Sequence, residues 1–278
     1  MSGMVQRNGY NRGEVCWTDV QTPDVAAAKS FYAAVFGWRY EDLPTPDGRS
    51  YSKAFLEDDL VTAIAPQPQA QGAASAPAQW NVYLAADDAR AIAEETPLAG
   101  GTVQFGPEEI ADTGTMVFVE PPGGGATGVW QAGTHPGCGR YGEPGAISWA
   151  ELVTAEPAAA VGFFQRLFGH DVTEYPQDDG GTYTTLMVDG AEVAGVAPAP
   201  GLDEEQGLDE EAEPDEKTRP DEELGWQVYF GVSSVSEAVL AAVAAGAEVL
   251  VEPEFAEDGG SIATLKDPQG GVFSVLEV

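Results

Sequence analysis

Two short motifs set a carboxylate beside an indole. Trp17-Thr18-Asp19 and Trp149-Ala150-Glu151 each place an acid two residues beyond a tryptophan. In an extended strand, residues i and i+2 share a face, so each acid would look the same way as its indole. Aromatic surroundings disfavour a charged carboxylate, and a raised pKa suits a general acid or base. Asp19 and Glu151 are therefore the candidate catalytic groups. The same carboxylates can instead accept backbone hydrogen bonds, with the tryptophans as packing, and residue type alone does not separate the two roles. Around them lie Tyr51, Asn81, Tyr83 and Trp130, joining Trp17 in the first half, and Tyr183, Gln227 and Tyr229, joining Trp149 in the second. Indoles and phenols offer flat apolar surface with one polar handle, which suits a semi-apolar ligand. Alternation forces a choice at Trp80-Asn81 and Trp226-Gln227, where one member of each pair must face a core. Cys16 precedes Trp17, points the other way and is expected to be a buried, inert thiol. Cys138 lies in a glycine-rich stretch, is expected at the surface, and has only Arg140 nearby to favour a thiolate.

The elements that would position these groups occur twice. Residues 14–40 match residues 146–172 at an offset of 132, with Trp17/Trp149, Thr22/Thr154, Phe31/Phe163, Phe36/Phe168 and Gly37/Gly169 identical. Further along, the offset becomes 146 and pairs Trp80 with Trp226, Tyr83 with Tyr229 and Pro107 with Pro253. The change marks an insertion containing the acidic run 201–223, which places that run in a loop of the second half. Each half opens with a short strand ending near Thr-Pro-Asp or Thr-Ala-Glu-Pro, a helix-start signal. Apolar residues at helical spacing follow over 25–36 until Gly37 stops them. Alternating segments then read as strands, and a second unit of the same kind begins near Trp80, with a helix expected over 88–97 and a strand at 102–105. Pro121-Pro122-Gly123-Gly124-Gly125 lies between two strands with no Lys-Ser or Lys-Thr after it, so it reads as a turn rather than a phosphate cradle. The predicted architecture is α+β: four βαβββ modules paired into two domains, 12–132 and 145–278, joined by a linker at 133–144. Two modules with facing curved sheets would enclose a cleft in each domain.

Charge narrows the partners. Twelve Lys and Arg stand against 46 Asp and Glu, a net of −34. Such a surface repels nucleic-acid phosphates and anionic membranes. Residues 201–223 hold twelve of the acids, a block that would stay solvated and mobile. Two cysteines and two histidines supply neither a disulfide framework nor a Cys-rich zinc cluster. No 18-residue apolar run or signal-peptide core is visible, so the chain reads as cytoplasmic.

The doubled strand motifs, the helices ending Phe31-Tyr32…Phe36-Gly37-Trp38 and Phe163-Phe164…Phe168-Gly169, and the turn Lys266-Asp267-Pro268-Gln269-Gly270-Gly271 together resemble a known family. It is the glyoxalase, bleomycin-resistance and extradiol-dioxygenase (vicinal oxygen chelate) superfamily, in its tandem-domain actinomycete form related to lactoylglutathione lyase. The resemblance implies glyoxalase-like domains, and for catalytic members a metal on a first-strand His, a His or Gln of the second module and a last-strand Glu. Those positions fall here on Trp17, Asn81 and Gly128, and on Trp149, Gln227 and Ser274. The expectation is no metal ligands and no cofactor. His135 and His170 lie off the predicted cleft strands. The leading expectation is a metal-independent protein that binds a metabolite or antibiotic-like molecule, neutral or cationic rather than anionic. The alternative is an isomerase, lyase or cyclase of the family using Glu151 or Asp19 as general base. A third reading, an acidic interaction protein with empty clefts, explains the charge but not the aromatic strands. A monomer with an internal pseudo-dimer fits the repeat.

Overall fold

The computed structural model describes residues 7–45, 48–68, 76–177, 181–199, 224–255 and 260–278. The acidic run 201–223, expected to be a mobile loop, lies outside the described residues. The first domain is built from β1 (Val15–Thr22), α1 (Val25–Phe36), β2 (Arg39–Pro44), β3 (Ser50–Leu56) and β4 (Asp59–Pro66), then β5 (Gln79–Ala85), α2 (Ala89–Glu95), β6 (Thr102–Ile110), β7 (Gly114–Glu120) and β8 (Thr127–Ala132). The second repeats the order with β9 (Ile147–Thr154), α3 (Pro157–Phe168), β10 (Asp171–Pro176), β11 (Thr182–Val188) and β12 (Ala191–Pro198), then β13 (Gly225–Val232), α4 (Val235–Ala244), β14 (Glu248–Phe255), β15 (Ser261–Lys266) and β16 (Val272–Glu277). Four βαβββ modules are present, in two mixed-sheet domains.

The helix limits follow from their caps. The Asp24 carboxylate accepts a hydrogen bond from the Ala27 N–H, satisfying one orphan donor of α1. Gly37 ends the helix at φ 73°, a left-handed turn that a Cβ would strain. In α3, Pro157 takes the first turn and Gly169 the same left-handed stop. The second module holds two departures from the sequence reading. The helix expected over 88–97 ends at Glu95 and gives way to a 3₁₀ turn at Pro97–Ala99. The strand expected at 102–105 continues past Pro107 to Ile110, on a sheet edge where proline's missing N–H costs no ladder bond.

The two modules of a domain are joined more tightly than two facing sheets. β1 pairs antiparallel with β5, and β9 with β13, so each domain has one eight-stranded sheet. The orders are β2-β3-β4-β1-β5-β8-β7-β6 and β10-β11-β12-β9-β13-β16-β15-β14. Each sheet has a back face, packed under helices and against the other domain, and a front face turned away from them.

The back faces share one core. Trp80 of β5 lies 5.4 Å from the Tyr32 ring of α1 and 4.9 Å from Phe230 of β13. Tyr32, fully buried, donates to the Asp267 carboxylate at 2.7 Å and receives the Trp80 indole N–H at 3.1 Å. Asp267 also accepts the Gln269 and Gly271 amides. The junction is reciprocal: the Trp38 indole donates to the Gly145 carbonyl, and the His170 ring, 132 residues later, meets the Gly13 carbonyl. Gly13 and Gly145 in turn donate to Ala85 and Gly231. This repeats each contact about a pseudo-twofold. No helix among the described residues is long and apolar enough to cross a membrane.

Tyr32→Phe tests the seam directly. It keeps the ring but removes one donor from a buried carboxylate and one acceptor from the Trp80 N–H. The expected loss is about 2 kcal/mol in urea unfolding, with both domains melting together. A loss indistinguishable from zero would mean that Asp267 is satisfied by its backbone donors alone.

Candidate functional site

Strand register decides which side chains meet. Trp17 sits opposite Tyr83, and Asp19 opposite Asn81. Gly128 of β8 is level with Tyr83. The second domain repeats this with Trp149 opposite Tyr229, Glu151 opposite Gln227, and Ser274 of β16 level with Tyr229. Directly paired residues share a face, so both sets occupy the front faces. Trp80 and Trp226 point back: Trp80 enters the seam, and the Trp226 indole donates to Thr127 at 2.9 Å.

In the first domain the front face is closed. Trp17, Asp19, Asn81, Tyr83 and Trp130 are each less than 10% exposed, and Tyr51 is half-buried. The Asp19 oxygens accept the Asn81 amide at 2.8 Å and the Tyr83 hydroxyl at 3.1 Å. Burial pushes the Asp19 carboxyl up to about 6, against the downward pull of those two donors. A Cβ at Gly128 would strike the Tyr83 ring, so only glycine lets that phenol lie flat on β8. His135, outside the predicted strands, covers this face. Its ring packs edge-on to Trp17 at 4.5 Å, and its carbonyl accepts the Trp130 indole N–H at 2.8 Å. Burial and the nearby Lys53 ammonium lower its imidazole to about 4. Cys138, expected at the surface, is instead buried under the same segment. Its amide donates to the Cys16 carbonyl at 2.8 Å, its thiol lies 2.8 Å from the Tyr10 hydroxyl, and burial raises it to about 11. Arg140 is turned away, bound to Glu57 and Asp59. Cys16 is fully buried with its thiol raised, in keeping with an inert role.

The second front face is half-open. Trp149, Glu151, Tyr183, Gln227 and Tyr229 are all partly exposed. The Trp149 indole donates to the Tyr183 hydroxyl at 3.0 Å, and the Tyr229 hydroxyl donates to Glu151 Oε1 at 2.6 Å. Ser274, level with Tyr229, shares a 2.9 Å hydrogen bond with the Thr264 hydroxyl. Burial and the Glu151 charge together raise both phenols, so they stay protonated as donors. Gly195 makes room: a Cβ there would collide with the Tyr183 hydroxyl and lie 3.0 Å from the Glu151 Cβ. In this network the Tyr229 hydroxyl is the donor aimed at the carboxylate. Tyr229 takes one of the carboxylate's four lone-pair directions, and the others can receive a ligand's N–H or O–H.

Of the family's metal donors, the two faces keep only the second-module glutamine, Gln227. Trp17, Asn81 and Gly128 bring an indole, an amide and no side chain; Trp149, Gln227 and Ser274 bring an indole, an amide and a hydroxyl. A divalent ion needs several carboxylate, imidazole or thiolate ligands converging at short range, so these residues do not fit one. Among the described residues no group of three His, Cys, Asp or Glu lies close enough to hold an ion.

Comparison with known proteins agrees with this architecture. Residues 15–126 match the model of the Glyoxalase/Bleomycin resistance protein/Dioxygenase superfamily, and residues 149–276 that of a glyoxalase-like domain. The chain is 36% identical over 277 residues to "Putative glyoxylase CFP32" of Mycobacterium tuberculosis (strain CDC 1551 / Oshkosh), covering 99% of this chain and 98% of that one. It is 32% identical over 276 residues to "Anthracycline biosynthesis protein DnrV" of Streptomyces peucetius, covering 96% and 94%. Among solved structures, the Mn(II)-bound glyoxalase from Novosphingobium aromaticivorans superposes with a TM-score of 0.63 at 16% identity, over 96% of this chain and 82% of that one. The chain therefore belongs to the glyoxalase/bleomycin resistance protein/dioxygenase superfamily, as a tandem two-domain member.

The buried carboxyl gives a pH signature. Asp19 titrates near 6 folded and near 3.8 unfolded, so its protonated form stabilises the fold. That stability is present at low pH and is lost as pH rises from about 4 to 6, up to about 3 kcal/mol. His135 works oppositely, since its neutral form is favoured and stability falls as pH drops from 6.5 toward 4. The two slopes offset each other in the parent protein. Subtracting the stability of Asp19→Asn at each pH should uncover the carboxyl slope, and a flat difference between pH 4 and 7 would show that Asp19 is not perturbed.

Proposed function

We propose that the protein binds a small organic molecule at the front face of its second domain, without a metal. The carrying observation is the half-open face of Trp149, Tyr183, Glu151 and Tyr229, where the carboxylate accepts the Tyr229 hydroxyl and keeps acceptor capacity beside an indole and a second phenol. Such a site selects a ligand that presents a hydrogen-bond donor or a positive charge, beside an aromatic or apolar body that can lie on the indole and phenols. The net charge of −34 adds long-range attraction for cations and works against anionic glutathione conjugates, so a lactoylglutathione lyase activity is not the favoured reading. Likeness to a protein named for anthracycline biosynthesis supports an antibiotic-like aromatic ligand. Binding makes no demand for metal ligands, which the residues at the family positions do not supply. The first domain, with Asp19 enclosed between Asn81 and Tyr83, serves as the rigid partner of this site. Buried free cysteines fit a reducing cytoplasm.

A second reading has a specific observation behind it. Glu151 is a carboxylate flanked by two phenols at the same half-open face, the parts a proton-transfer enzyme needs: a base and donors aimed where negative charge develops. Isomerase, lyase or cyclase chemistry would then use Glu151 as base, with Tyr183 or Tyr229 polarising the substrate.

Screening extracts and aromatic amine libraries for thermal stabilisation, followed by incubation of any ligand found, separates the two. Binding predicts recovery of unchanged ligand, with affinity falling roughly 10- to 100-fold in Glu151→Gln as a charged acceptor is lost. Gly195→Ala should weaken binding similarly by displacing Tyr183, while Asp19→Asn leaves it unaltered. Turnover that vanishes in a folded Glu151→Gln variant would establish the enzyme instead. Equal affinity in parent and Glu151→Gln would remove the site from the second domain.

A further inference from the structure

The pseudo-twofold makes each junction a template for the other, and at one place the two differ. Where the N-terminal segment enters β1, the Arg12 guanidinium crosses to the second domain and donates to the Leu167 carbonyl, in the last turn of α3. Arg12, Gly13 and Leu167 correspond to Pro144, Gly145 and Val35, since Gly13 and Gly145 make the same bonds to Ala85 and Gly231. Pro144 has no side-chain donor and no N–H, so it cannot repeat what Arg12 does. In place of that guanidinium there is an open groove of about 320 Å³ between α1 and α4. Val35, Phe36 and Pro144 line one side, and Val232, Ala238 and Ala241 the other. At its polar end stand Ser233, Ser234 and Glu237.

The chemistry of that groove is complementary to a cation. The last carbonyls of α1 present the negative end of one helix dipole and the N-terminus of α4 at Ser234 the positive end of another, so the two oppose each other and a nearby full charge decides the sign. Glu237 adds a full negative charge, exposed and without an ion pair among the described residues. The apolar walls suit a methylene stem. The volume lies at the small-molecule end of the range for binding pockets. We infer that the α1–α4 groove binds a small organic cation of the alkylguanidinium class, in the place that Arg12 fills at the pseudo-equivalent junction. The site is separate from the Glu151 face and does not rest on its reading.

n-Butylguanidinium chloride, titrated into the full chain at physiological salt and followed by amide NMR, tests the inference. The expected result is saturable binding of one equivalent, with shifts confined to the amides of Val35, Val232, Ala238 and Ala241. Glu237→Gln, at an exposed position that leaves the fold intact, should weaken binding at least about fivefold. Pro144→Arg should abolish it by supplying a tethered occupant, and n-butylsulfonate should not bind. Shifts spread over surface acids, or an affinity that Glu237→Gln leaves unchanged, would show general attraction to an acidic chain and overturn the site. Absence of saturation would do the same, whether or not Pro144→Arg folds.

Discussion

Phe230 of β13 touches three rings of the other domain, Phe36 at 5.0 Å, Trp38 at 5.4 Å and Trp80 at 4.9 Å. That contact makes the two sheets one body, because the side chains alternating with it are the ones that build the front faces. Phe230 and Val228 point back, so Tyr229 and Gln227 must point forward. The same step fixes Trp80 behind and Asn81 in front. A large apolar area hidden behind β5 and β13 thus sets the direction of every polar group ahead of them. A one-residue register slip would bury the phenols and expose the seam, at a cost of several side-chain burials.

The repeat gives both domains the same frame, and small differences at equivalent places separate their front faces. Ala63 in the first sheet corresponds to Gly195 in the second, and the missing methyl lets Tyr183 lie close over β12 beside Glu151. Gly128 corresponds to Ser274: the glycine admits the Tyr83 ring, whereas the serine sets a hydroxyl level with Tyr229 and bonded to Thr264. His135 then covers the first face by packing on Trp17 and Trp130. The outcome is one enclosed carboxyl and one half-open one, built from the same strand positions. Asp19 is satisfied by its neighbours, and Glu151 retains acceptor capacity.

The repeat, the module order and the facing of the two carboxylates were legible in the sequence, because alternation and helix caps are local rules. Trp17 and Asp19, or Trp149 and Glu151, could be placed on one face by counting. Which acid would be enclosed was not legible, since it depends on His135 arriving from a segment with no periodicity. Its position between glycines and a proline, in 133–139, signals a turn but not a destination. Cys138 misled for the same reason: glycine-rich neighbours suggest exposure, yet the segment is held down by backbone bonds to Cys16 and Leu60. The passage of β6 through Pro107 was decided by its place at the sheet edge rather than by propensity. The link between Tyr32 and Asp267 spans 235 residues and leaves no trace in spacing.

The electrostatics of the second face give the proposed ligand preference a physical basis beyond net charge. A lone half-buried carboxylate would draw water, and its phenol neighbours replace part of that hydration with fixed donors. Because burial and the adjacent negative charge keep Tyr183 and Tyr229 protonated, those donors do not titrate away at neutral pH. An incoming acceptor would have to displace a phenol from Glu151, losing a charge-assisted bond to gain a neutral one. An incoming donor adds to the set without breaking it. The difference favours amines and hydroxyls over carboxylates and phosphates at that position, even at a salt concentration that screens the long-range field of the surface acids.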